Sequence, residues 1–271
     1  MTIAEGDVLI RKDSSLSRPW TRLHNYYKRN AGRFVFRRPF AIRTESPLIS
    51  FTFDDFPRSA FLTGGAILKS YKVAGTYYAA LGLLGTEGPS GPLFILDDLE
   101  ALIAQGHELG CHTFSHCHAW DSDSHRFKES IVKNGVALRK LFPGAEFRSF
   151  SYPISEPRPL IKKKTAEHFL CCRAGGQTLN VGTVDLNQLS AFFLEQSQDD
   201  IQIVKGLIDH NRAVKGWTIF ATHDICSTPS RYGCTPEFFQ EVVRYAVDSG
   251  SLVLPVRDAL QLATGVTSER N

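Results

Sequence analysis

Histidines cluster in one stretch of this 271-residue chain, where five of its nine lie between His107 and His125. Two of them, His112 and His116, are four residues apart, a spacing at which a helical turn or a tight loop can direct both imidazoles to one point. Neutral imidazoles suit a borderline-soft divalent metal. A metal site that performs hydrolysis also needs an oxygen or sulfur ligand and an open position, so another segment must complete it.

Carboxylates that could complete such a site follow a short, largely apolar run at residues 48–53. This run is rich in β-forming residues and predicts a buried strand, which places Asp54 and Asp55 at its C-terminal end. His223 follows a similar run at 217–221. Taken alone, twin aspartates after a strand are more often a helix cap or a turn, and a lone His-x-x-x-His is usually accidental. The metal hypothesis therefore depends on whether these segments meet.

Strand-like and helix-like segments alternate along the chain from Pro47 onward. The predicted strands cover residues 48–53, 73–80, 108–111, 147–152, 169–173, 191–194, 217–221 and 252–254. The predicted helices cover residues 59–71, 97–105, 125–141, 159–168, 201–214, 236–249 and 256–263. This alternation predicts a parallel sheet with helices packed outside it, in which the C-terminal ends of the strands form the active face. The polar residues that follow four of these strands should then point to one mouth.

Four short segments carry the polar residues of this predicted mouth. They are FTFDD at 51–55, HTFSH at 112–116, FSYP at 150–153 and ATHD at 221–224. In this order they resemble the motifs of the polysaccharide deacetylase superfamily, the NodB-homology group of carbohydrate esterases in family four. The resemblance covers roughly residues 47–263. It implies a distorted (β/α) barrel of about seven strands and metal-dependent hydrolysis of an N- or O-acetyl group on a sugar.

Alongside this resemblance, Asp55, His112 and His116 are assigned as the metal ligands. One carboxylate and two imidazoles leave positions free for water and the acetyl oxygen, which is an open, catalytic arrangement. Zn²⁺ fits this ligand set, and Co²⁺, Ni²⁺, Mn²⁺ and Fe²⁺ would fit it too. A metal held there would lower the pKa of its bound water and polarise the scissile carbonyl.

Two further residues are expected to move protons. Asp54, next to the ligand Asp55, would take the proton of the attacking water as general base. Because successive side chains of a strand diverge, both aspartates can reach one water only if a turn begins at Asp55. His223 would donate a proton to the departing amine as general acid. From the resemblance, a backbone N–H near Tyr152 would hold the oxyanion, with Pro153 fixing the chain just after that amide.

The sequence leaves open which residues tune the base and the acid. Arg148 and Arg173 are the alternatives for the arginine that pairs with the base. Arg148 is placed with the catalytic residues, and Arg173 with the substrate contacts. Asp185 and Asp224 are the alternatives for the carboxylate that tunes the acid histidine.

Phe56 stands where relatives usually have a glycine after the twin aspartates. Its bulk is expected to narrow the mouth, and it joins Tyr152, Pro153 and Arg173 as a predicted substrate contact. A narrow mouth and the absence of a secretion signal favour an alternative to sugar deacetylation, the hydrolysis of a non-sugar C–N amide such as a cyclic imide or ureide. A carbohydrate-binding relative with a disabled site is the last alternative, because every expected catalytic residue type is present.

Composition limits the classes of partner. The hydrophobic share of 42% and the charged share of 22% are ordinary for a globular protein. The net charge of +3 is too small to predict nucleic acid or an anionic membrane as a partner. No apolar stretch is long enough to cross a bilayer, and the N-terminus does not resemble a secretion signal. The six cysteines form no Cys-x-x-Cys pair, which predicts reduced thiols and agrees with a cytoplasmic location.

The predicted architecture is an α/β protein of one domain with an N-terminal extension. Residues 1–46 mix aromatic, arginine and polar residues without a sustained period and are expected to pack on the domain. Residues 47–271 are expected to form the deacetylase barrel, a hydrolase that acts on carbon–nitrogen bonds other than peptide bonds. An acetylated sugar or glycan is the expected partner, and the oligomeric state is left open.

Overall fold

The computed structural model describes residues 31–154 and 156–264 of the chain. Its strands are β1 (Pro39–Ala41), β2 (Leu48–Phe53), β3 (Thr76–Ala79), β4 (Glu87–Gly88), β5 (Gly91–Pro92), β6 (Glu108–Cys111), β7 (Ser149–Ser151), β8 (Cys171–Ala174), β9 (Thr183–Asp185), β10 (Leu189–Ser190), β11 (Phe192–Phe193), β12 (Trp217–Thr222) and β13 (Leu252–Val253). Its α-helices are α1 (Ala66–Ser70), α2 (Leu96–Ala104), α3 (Ser124–Leu141), α4 (Pro159–Ala166), α5 (Ile201–Val214), α6 (Pro236–Asp248) and α7 (Val256–Thr264). A π-helix, Ala60–Gly65, precedes α1, and 3₁₀ turns occupy Leu81–Leu83 and Leu194–Ser197.

Nine strands form one sheet in the order β10-β8-β7-β6-β3-β2-β12-β11, with β13 also paired to β2. Every pairing in this sheet is parallel. The two edge strands, β10 and β11, are separated in the chain only by Ala191. The chain therefore passes directly from one edge to the other, and the sheet nearly closes on itself. This confirms the predicted distorted (β/α) barrel, although three two-residue strands bring the strand number above the expected seven.

Alternation along β2 sends one set of side chains toward the helices and the other toward the site. Phe51 and Phe53 pack on Phe239 of α6, with ring centroids 5.5 and 5.6 Å apart. Ser50 and Thr52 point the other way, and the Ser50 hydroxyl accepts from the indole N–H of a buried tryptophan (3.0 Å). Because the side-chain period of a strand is two, the next residue on that second face is Asp54. Burial of the two phenylalanines stabilises the strand by about 1.5–3 kcal/mol for each ring.

Helix α5 shows how a local sequence signal fixes an element. Its predicted span, residues 201–214, is confirmed. The helix begins after Asp200, whose carboxylate accepts from the Gln202 N–H (2.9 Å) and satisfies a donor that the first turn leaves free. Val204 and Ile208, one turn apart, are fully buried. Side-chain capping and a 3.6-residue apolar period thus agree along this segment.

Short elements differ from the prediction. The predicted helix at 59–71 begins as the π-helix, and the predicted strand at 73–80 shortens to β3. The loop predicted at 82–92 contains the hairpin of β4 and β5, and β1 and β9 were not predicted. Strands of two or three residues carry no hydrophobic period, so tertiary contacts alone decide where they form.

The described part of the N-terminal segment packs on the barrel. β1 pairs antiparallel with β9. The buried ammonium of Lys162 donates to the Gly32 carbonyl (2.5 Å) and forms an ion pair with Asp185. The rest of the predicted extension, residues 1–30, lies outside the described residues. No helix that the structure describes has the length and apolar composition needed to cross a membrane.

Candidate active site

Side chains from several strand ends line one cavity at the C-terminal edge of the sheet. The cavity has a volume of about 600 Å³, which lies in the range of small-molecule sites. Its lining includes Asp54, Asp55, His112, His116, Tyr152 and His223. The four predicted segments therefore meet at one mouth, as the parallel topology requires.

The chain turns immediately after β2, and this turn brings both aspartates to the cavity. Asp55 and Phe56 have φ angles of 58° and 53°, a left-handed conformation that is uncommon in residues other than glycine. The Asp54 N–H donates to the Thr222 carbonyl (2.9 Å), which ties the start of the turn to the end of β12. The turn predicted at Asp55 is confirmed.

Phe56 does not reach the cavity, and its predicted role as a substrate contact is wrong. The turn directs its ring into the core, where it is fully buried and stacks on Phe94 with ring centroids 5.0 Å apart. Phe61 and Tyr77 pack against the same ring. The phenylalanine that replaces the usual glycine thus fills the core beneath the turn and leaves the mouth open.

Asp55, His112 and His116 bring three possible metal-ligand atoms within 4.8 Å of one another. Asp55 Oδ1 lies 3.0 Å from His116 Nε2 and 3.5 Å from His112 Nε2. Ligand atoms about 2.1 Å from a tetrahedral metal are roughly 3.4 Å apart, so these separations fit one shared ion. Asp55 Oδ1 is buried and has no hydrogen-bond partner of suitable geometry among the described residues. A buried carboxylate oxygen in that position is suited to a cation.

The neighbouring strand orients the ring of His112. Its Nδ1 lies 2.8 Å from the Ser151 carbonyl, and because a carbonyl can only accept, Nδ1 must carry the proton. Nε2 then has its lone pair free on the side of Asp55 and His116. Burial lowers the pKa of His112 to about 4, so the imidazole is neutral at neutral pH and able to bind a metal.

A tight loop, and not a helix, carries His116. Thr113 and His116 have φ angles of 59° and 51°. The Thr113 hydroxyl accepts from the Cys117 N–H (2.9 Å), and the Ser130 hydroxyl accepts from the Phe114 N–H (2.9 Å). These bonds hold the loop against α3. They decide between the two geometries that the four-residue histidine spacing allowed.

Asp54 is buried and pairs with the guanidinium of Arg173. Burial alone would raise the pKa of Asp54, but the charge of Arg173 contributes to lowering it below its usual range, so the carboxylate stays ionised. The guanidinium also lies 5.0 Å from the ring centre of Tyr78 and 5.4 Å from that of Phe193. On β8 the arginine stands opposite Ser151 of β7, and this register places it at the mouth.

Arg148 lies at the other edge of the sheet, and its predicted place among the catalytic residues is wrong. It precedes β7, so it belongs to the N-terminal end of that strand. Its side chain is 55% exposed and lies 3.7 Å from Glu146. Arg173 is therefore the arginine that pairs with Asp54. Arg173 lines the cavity, but its guanidinium donates to the Asp54 carboxylate. Its role is therefore to pair with Asp54, which differs from the predicted substrate contact.

His223 follows β12 and lines the cavity, but neither predicted carboxylate contacts it. Asp185 pairs with the lysine beneath the N-terminal segment. Asp224 accepts from the N–H (2.7 Å) and the hydroxyl (2.6 Å) of Ser230. The ring of His223 lies 5.2 Å from that of Tyr232, and its Nδ1 is buried without a hydrogen-bond partner in the part of the chain that the structure describes. Neither alternative for the tuning carboxylate therefore contacts His223 directly among the described residues, and the tuning role stays a prediction.

The Tyr152 N–H is not free to hold an oxyanion, because it donates to the Arg173 carbonyl (3.1 Å) in the β7–β8 ladder. The Tyr152 hydroxyl donates to the Asn187 carbonyl (3.1 Å). Pro153 is buried and is not part of the described cavity lining, and its substrate contact stays a prediction. Since proline has no N–H, the next backbone donor is Ile154. Ile154 lines the cavity with a φ angle of 73° and a side chain that is 61% exposed.

Glu195 and Ser90 are among the cavity residues that escaped the sequence prediction. Glu195 comes two residues after β11 and directly after the predicted strand 191–194, which was a signal for the mouth. Ser90 lies at the tip of the β4–β5 hairpin and contacts the Ser230 hydroxyl (3.3 Å). No motif marks that hairpin, because a two-residue strand pair is invisible in sequence periodicity.

Residues 41–170 match a family model described as Polysaccharide deacetylase. The chain carries a polysaccharide deacetylase domain. The match spans three of the four predicted segments, with both aspartates and both histidines that were predicted to bind the metal. The match ends before Arg173, Glu195 and His223. Only the structure shows that these three residues line the same cavity. Among curated protein sequences, none matches the chain.

Solved structures share the fold of this deacetylase domain at low sequence identity. A family 4 acetyl xylan esterase from Clostridium thermocellum, in complex with a cobalt ion, is 19% identical, with a TM-score of 0.57 over 79% of this chain and 91% of that chain. The chitin deacetylase from Colletotrichum lindemuthianum is 14% identical, with a TM-score of 0.56 over 84% and 92%. A CE4 family pseudoenzyme from Bacillus anthracis is 11% identical, with a TM-score of 0.53 over 81% and 67%. At these identities the likeness shows the fold alone.

Proposed function

We propose that this chain is a metal-dependent hydrolase that removes the acetyl group from an N-acetylated sugar or a glycan precursor. The observation that carries the proposal is the single cavity that Asp55, His112 and His116 share with Asp54 and His223. A ligand set for a metal, an ionised carboxylate and a further imidazole are the groups that amide hydrolysis needs. The polysaccharide deacetylase domain supports the same reaction class.

Asp55 Oδ1 and the Nε2 atoms of His112 and His116 would hold the metal. This donor set suits Zn²⁺, and Co²⁺, Ni²⁺, Mn²⁺ or Fe²⁺ can occupy it as well. The cobalt ion bound to the acetyl xylan esterase of the same fold supports a divalent metal here. When bound, such an ion polarises the acetyl carbonyl and acidifies water.

The proton transfers are assigned to residues on two sides of the cavity. Asp54 would take the proton of the attacking water, and the Arg173 guanidinium keeps this carboxylate ionised before the step. His223 would pass a proton to the nitrogen of the departing amine. The Ile154 N–H would donate to the acetyl oxygen as negative charge develops on it.

The rest of the cavity wall suits a sugar. Phe193 and Tyr232 offer aromatic faces, and Gln177 and Gln196 offer amide groups. Sugar rings are recognised by this combination of stacking surface and convergent polar groups.

The hydrolysis of a small cyclic imide or ureide loses its main structural support, because Phe56 lies in the core and does not narrow the mouth. A disabled carbohydrate-binding relative remains an outcome that an experiment must separate, since a pseudoenzyme has the same fold. Neither alternative has an observation in this structure that favours it over sugar deacetylation.

Acetate release from N-acetylated oligosaccharides, measured with and without added divalent metals, tests the proposal. We expect release to rise with Zn²⁺ or Co²⁺ and to stop on chelation. Release that survives complete removal of the metal contradicts the metal dependence. Hydrolysis of cyclic imides or ureides alone supports the other amide hydrolase, and sugar binding without acetate release supports the disabled relative.

A further inference from the structure

Glu195 holds a fixed position at the mouth that the proposed reaction does not use. It lies in the 3₁₀ turn Leu194–Ser197, directly after β11. Leu194 is fully buried and anchors the turn, and the Ser197 hydroxyl donates to the Leu194 carbonyl (2.7 Å). The side chain of Glu195 lines the same cavity as the proposed ligands and proton-transfer residues. Its place is therefore set by packing of the turn.

One oxygen of this carboxyl group is buried and unused. Glu195 Oε2 has no hydrogen-bond partner among the residues that the structure describes. Leaving a buried polar atom unpaired is unfavourable, so such atoms are rare and call for a partner. Three other unpartnered buried atoms line this cavity, namely Asp55 Oδ1, Arg173 Nε and His223 Nδ1. Four of the eleven unpartnered buried atoms among the described residues thus belong to residues that line this cavity.

The charges around Glu195 leave it free for a polar ligand. The Arg173 guanidinium is paired with Asp54, and no hydrogen bond joins Arg173 Nε to Glu195 Oε2. Burial raises the pKa of Glu195 to about 7, and the Asp54 carboxylate adds to this rise. Near neutral pH the carboxyl group can therefore either donate or accept a hydrogen bond. A hydroxyl group, which does both, matches this behaviour in either state.

We propose that Glu195 is a specificity-determining residue whose buried Oε2 binds a hydroxyl group of the sugar that carries the scissile acetamide. The proposal rests on the proposed function for the class of substrate. It adds a contact that distinguishes a hydroxylated ring from a plain amide. A site built to hydrogen-bond a substrate hydroxyl rejects the analogue that lacks it, because its own buried polar atom is then left unpaired.

A cycle that combines one side-chain change with one hydroxyl deletion tests this contact. Calorimetry would measure the binding of an N-acetylglucosamine tetrasaccharide, and of its singly deoxygenated analogues, to the wild type and to Glu195→Ala in the presence of a chelator. We expect Glu195→Ala to weaken binding of the parent sugar by about 10-fold to about 100-fold. One deoxy analogue should bind the wild type equally weakly, and the substitution should then cost it less than about 2-fold.

Two further variants separate recognition from general damage. Glu195→Gln keeps a hydrogen-bonding group of the same size and should restore most of the binding. Glu100→Ala, an exposed glutamate on α2, should bind like the wild type. Thermal unfolding of each variant shows whether a loss of binding is a loss of folding. A penalty that is the same for the parent and for every deoxy analogue overturns the proposal, as does wild-type binding by Glu195→Ala.

Acetate release measured in parallel keeps this test distinct from that of the proposed function. Sugar that binds through Glu195 but releases no acetate contradicts the deacetylase and leaves the hydroxyl contact standing. Acetate release with an unchanged KM in Glu195→Ala supports the deacetylase and contradicts the hydroxyl contact. If the wild type binds no sugar at all, the hydroxyl contact is wrong.

Discussion

The two ends of β6 carry buried polar groups of opposite character. At its first residue, Glu108 is only 1% exposed, yet both of its oxygens have partners. Oε1 accepts from the Ser149 hydroxyl (2.6 Å), and Oε2 accepts from the Thr76 hydroxyl (2.9 Å) and the Arg257 N–H (2.8 Å). Just past the last residue of β6, His112 lines the cavity, which also contains buried polar atoms without hydrogen-bond partners. The comparison teaches that burial alone does not mark a functional group, because Glu108 is buried with a hydrogen-bond partner for each oxygen, whereas the cavity contains buried polar atoms without one.

We call the cluster of Thr76, Glu108 and Ser149 the floor. These residues begin β3, β6 and β7, so the floor joins three neighbouring strands at their N-terminal ends. It also receives two N–H groups from the first turn of α7, because Val256 donates to the Thr76 hydroxyl (2.9 Å) and Arg257 donates to Glu108. The floor therefore caps a helix as well as linking strands.

The largest effects are expected from the proposed metal ligands. His112→Ala and Asp55→Ala should lower metal affinity by at least about 1,000-fold and reduce acetate release to background, because each removes one of three ligands. In the metal-free protein His112→Ala should lower the free energy of unfolding, because it removes the bond to the Ser151 carbonyl. Asp55→Ala should lower it too, because the carboxylate lies 3.0 Å from His116 Nε2. Metal analysis, acetate assays and denaturant unfolding measure these quantities. Full activity in either variant would remove that residue from the ligand set.

Asp54→Asn should separate chemistry from metal binding at the mouth. The amide cannot take a proton from water, so acetate release should fall by about 100-fold to about 10,000-fold while the bound metal is retained. The substitution keeps size and shape, which makes it a matched control for the ligand variants. Turnover close to that of the wild type would show that another group is the general base.

The floor should respond in the opposite way. Glu108→Ala leaves three donors without their acceptor and should lower the free energy of unfolding by about 2–4 kcal/mol. Acetate release per folded molecule should stay within about 3-fold of the wild type, because the floor lies at the far end of β6. Denaturant unfolding and an assay normalised to folded protein measure both effects. If Glu108→Ala were as stable as the wild type but inactive, Glu108 would have a functional role, and the distinction between the structural and the functional end of β6 would be wrong.

Glu108→Gln sharpens the same comparison through pH. Burial raises the pKa of Glu108 above 4.5 in the folded state, against the opposing effect of its hydrogen bonds. A raised folded-state pKa means that the favoured species is the protonated one, so its contribution is present below pH 4.5 and lost as the pH rises through the folded pKa. Glutamine mimics the protonated form. The variant should therefore gain stability relative to the wild type as the pH rises, and a difference independent of pH would contradict this.

The smallest predicted effect compares two arginines. Arg173→Gln should raise the pKa of Asp54, because it removes the charge that helps to keep the carboxylate ionised. The acidic limb of the rate profile should move to higher pH, and acetate release below that limb should fall by about 10-fold or more. Arg148→Gln, which changes an exposed side chain at the other end of the sheet, should leave the profile within about 2-fold of the wild type. Identical profiles for the two variants would contradict the pairing of Arg173 with Asp54.

Local patterns predicted the parts of the molecule that local forces determine. The strand at 48–53 and the helix at 201–214 carry their own apolar patterns. The meeting of the four motif segments followed from strand alternation, because parallel strands share one C-terminal edge. The partner of Asp54 did not follow, since the choice between Arg148 and Arg173 depends on the register that sets Arg173 opposite Ser151. That register is a property of the whole sheet.

Other errors came from rules that hold only on average. Phe56 was placed at the mouth because it follows the twin aspartates, but two successive left-handed residues turn its ring into the core. Asp185 was weighed as a partner of His223, yet it pairs with a lysine beneath the N-terminal segment. In both cases the deciding contact lies far along the chain, and composition or spacing carries no trace of it.

The bond from Arg257 to Glu108 spans 149 residues of sequence, and this has a consequence for how the chain folds. Closing a loop of that length costs on the order of 4 kcal/mol in chain entropy. The carboxylate of Glu108 must stay hydrated until the C-terminal helix arrives, so the strands around it cannot become fully dry before α7 docks. We therefore expect α7 to dock late in folding. Hydrogen exchange at the Arg257 amide should then report the docking of α7.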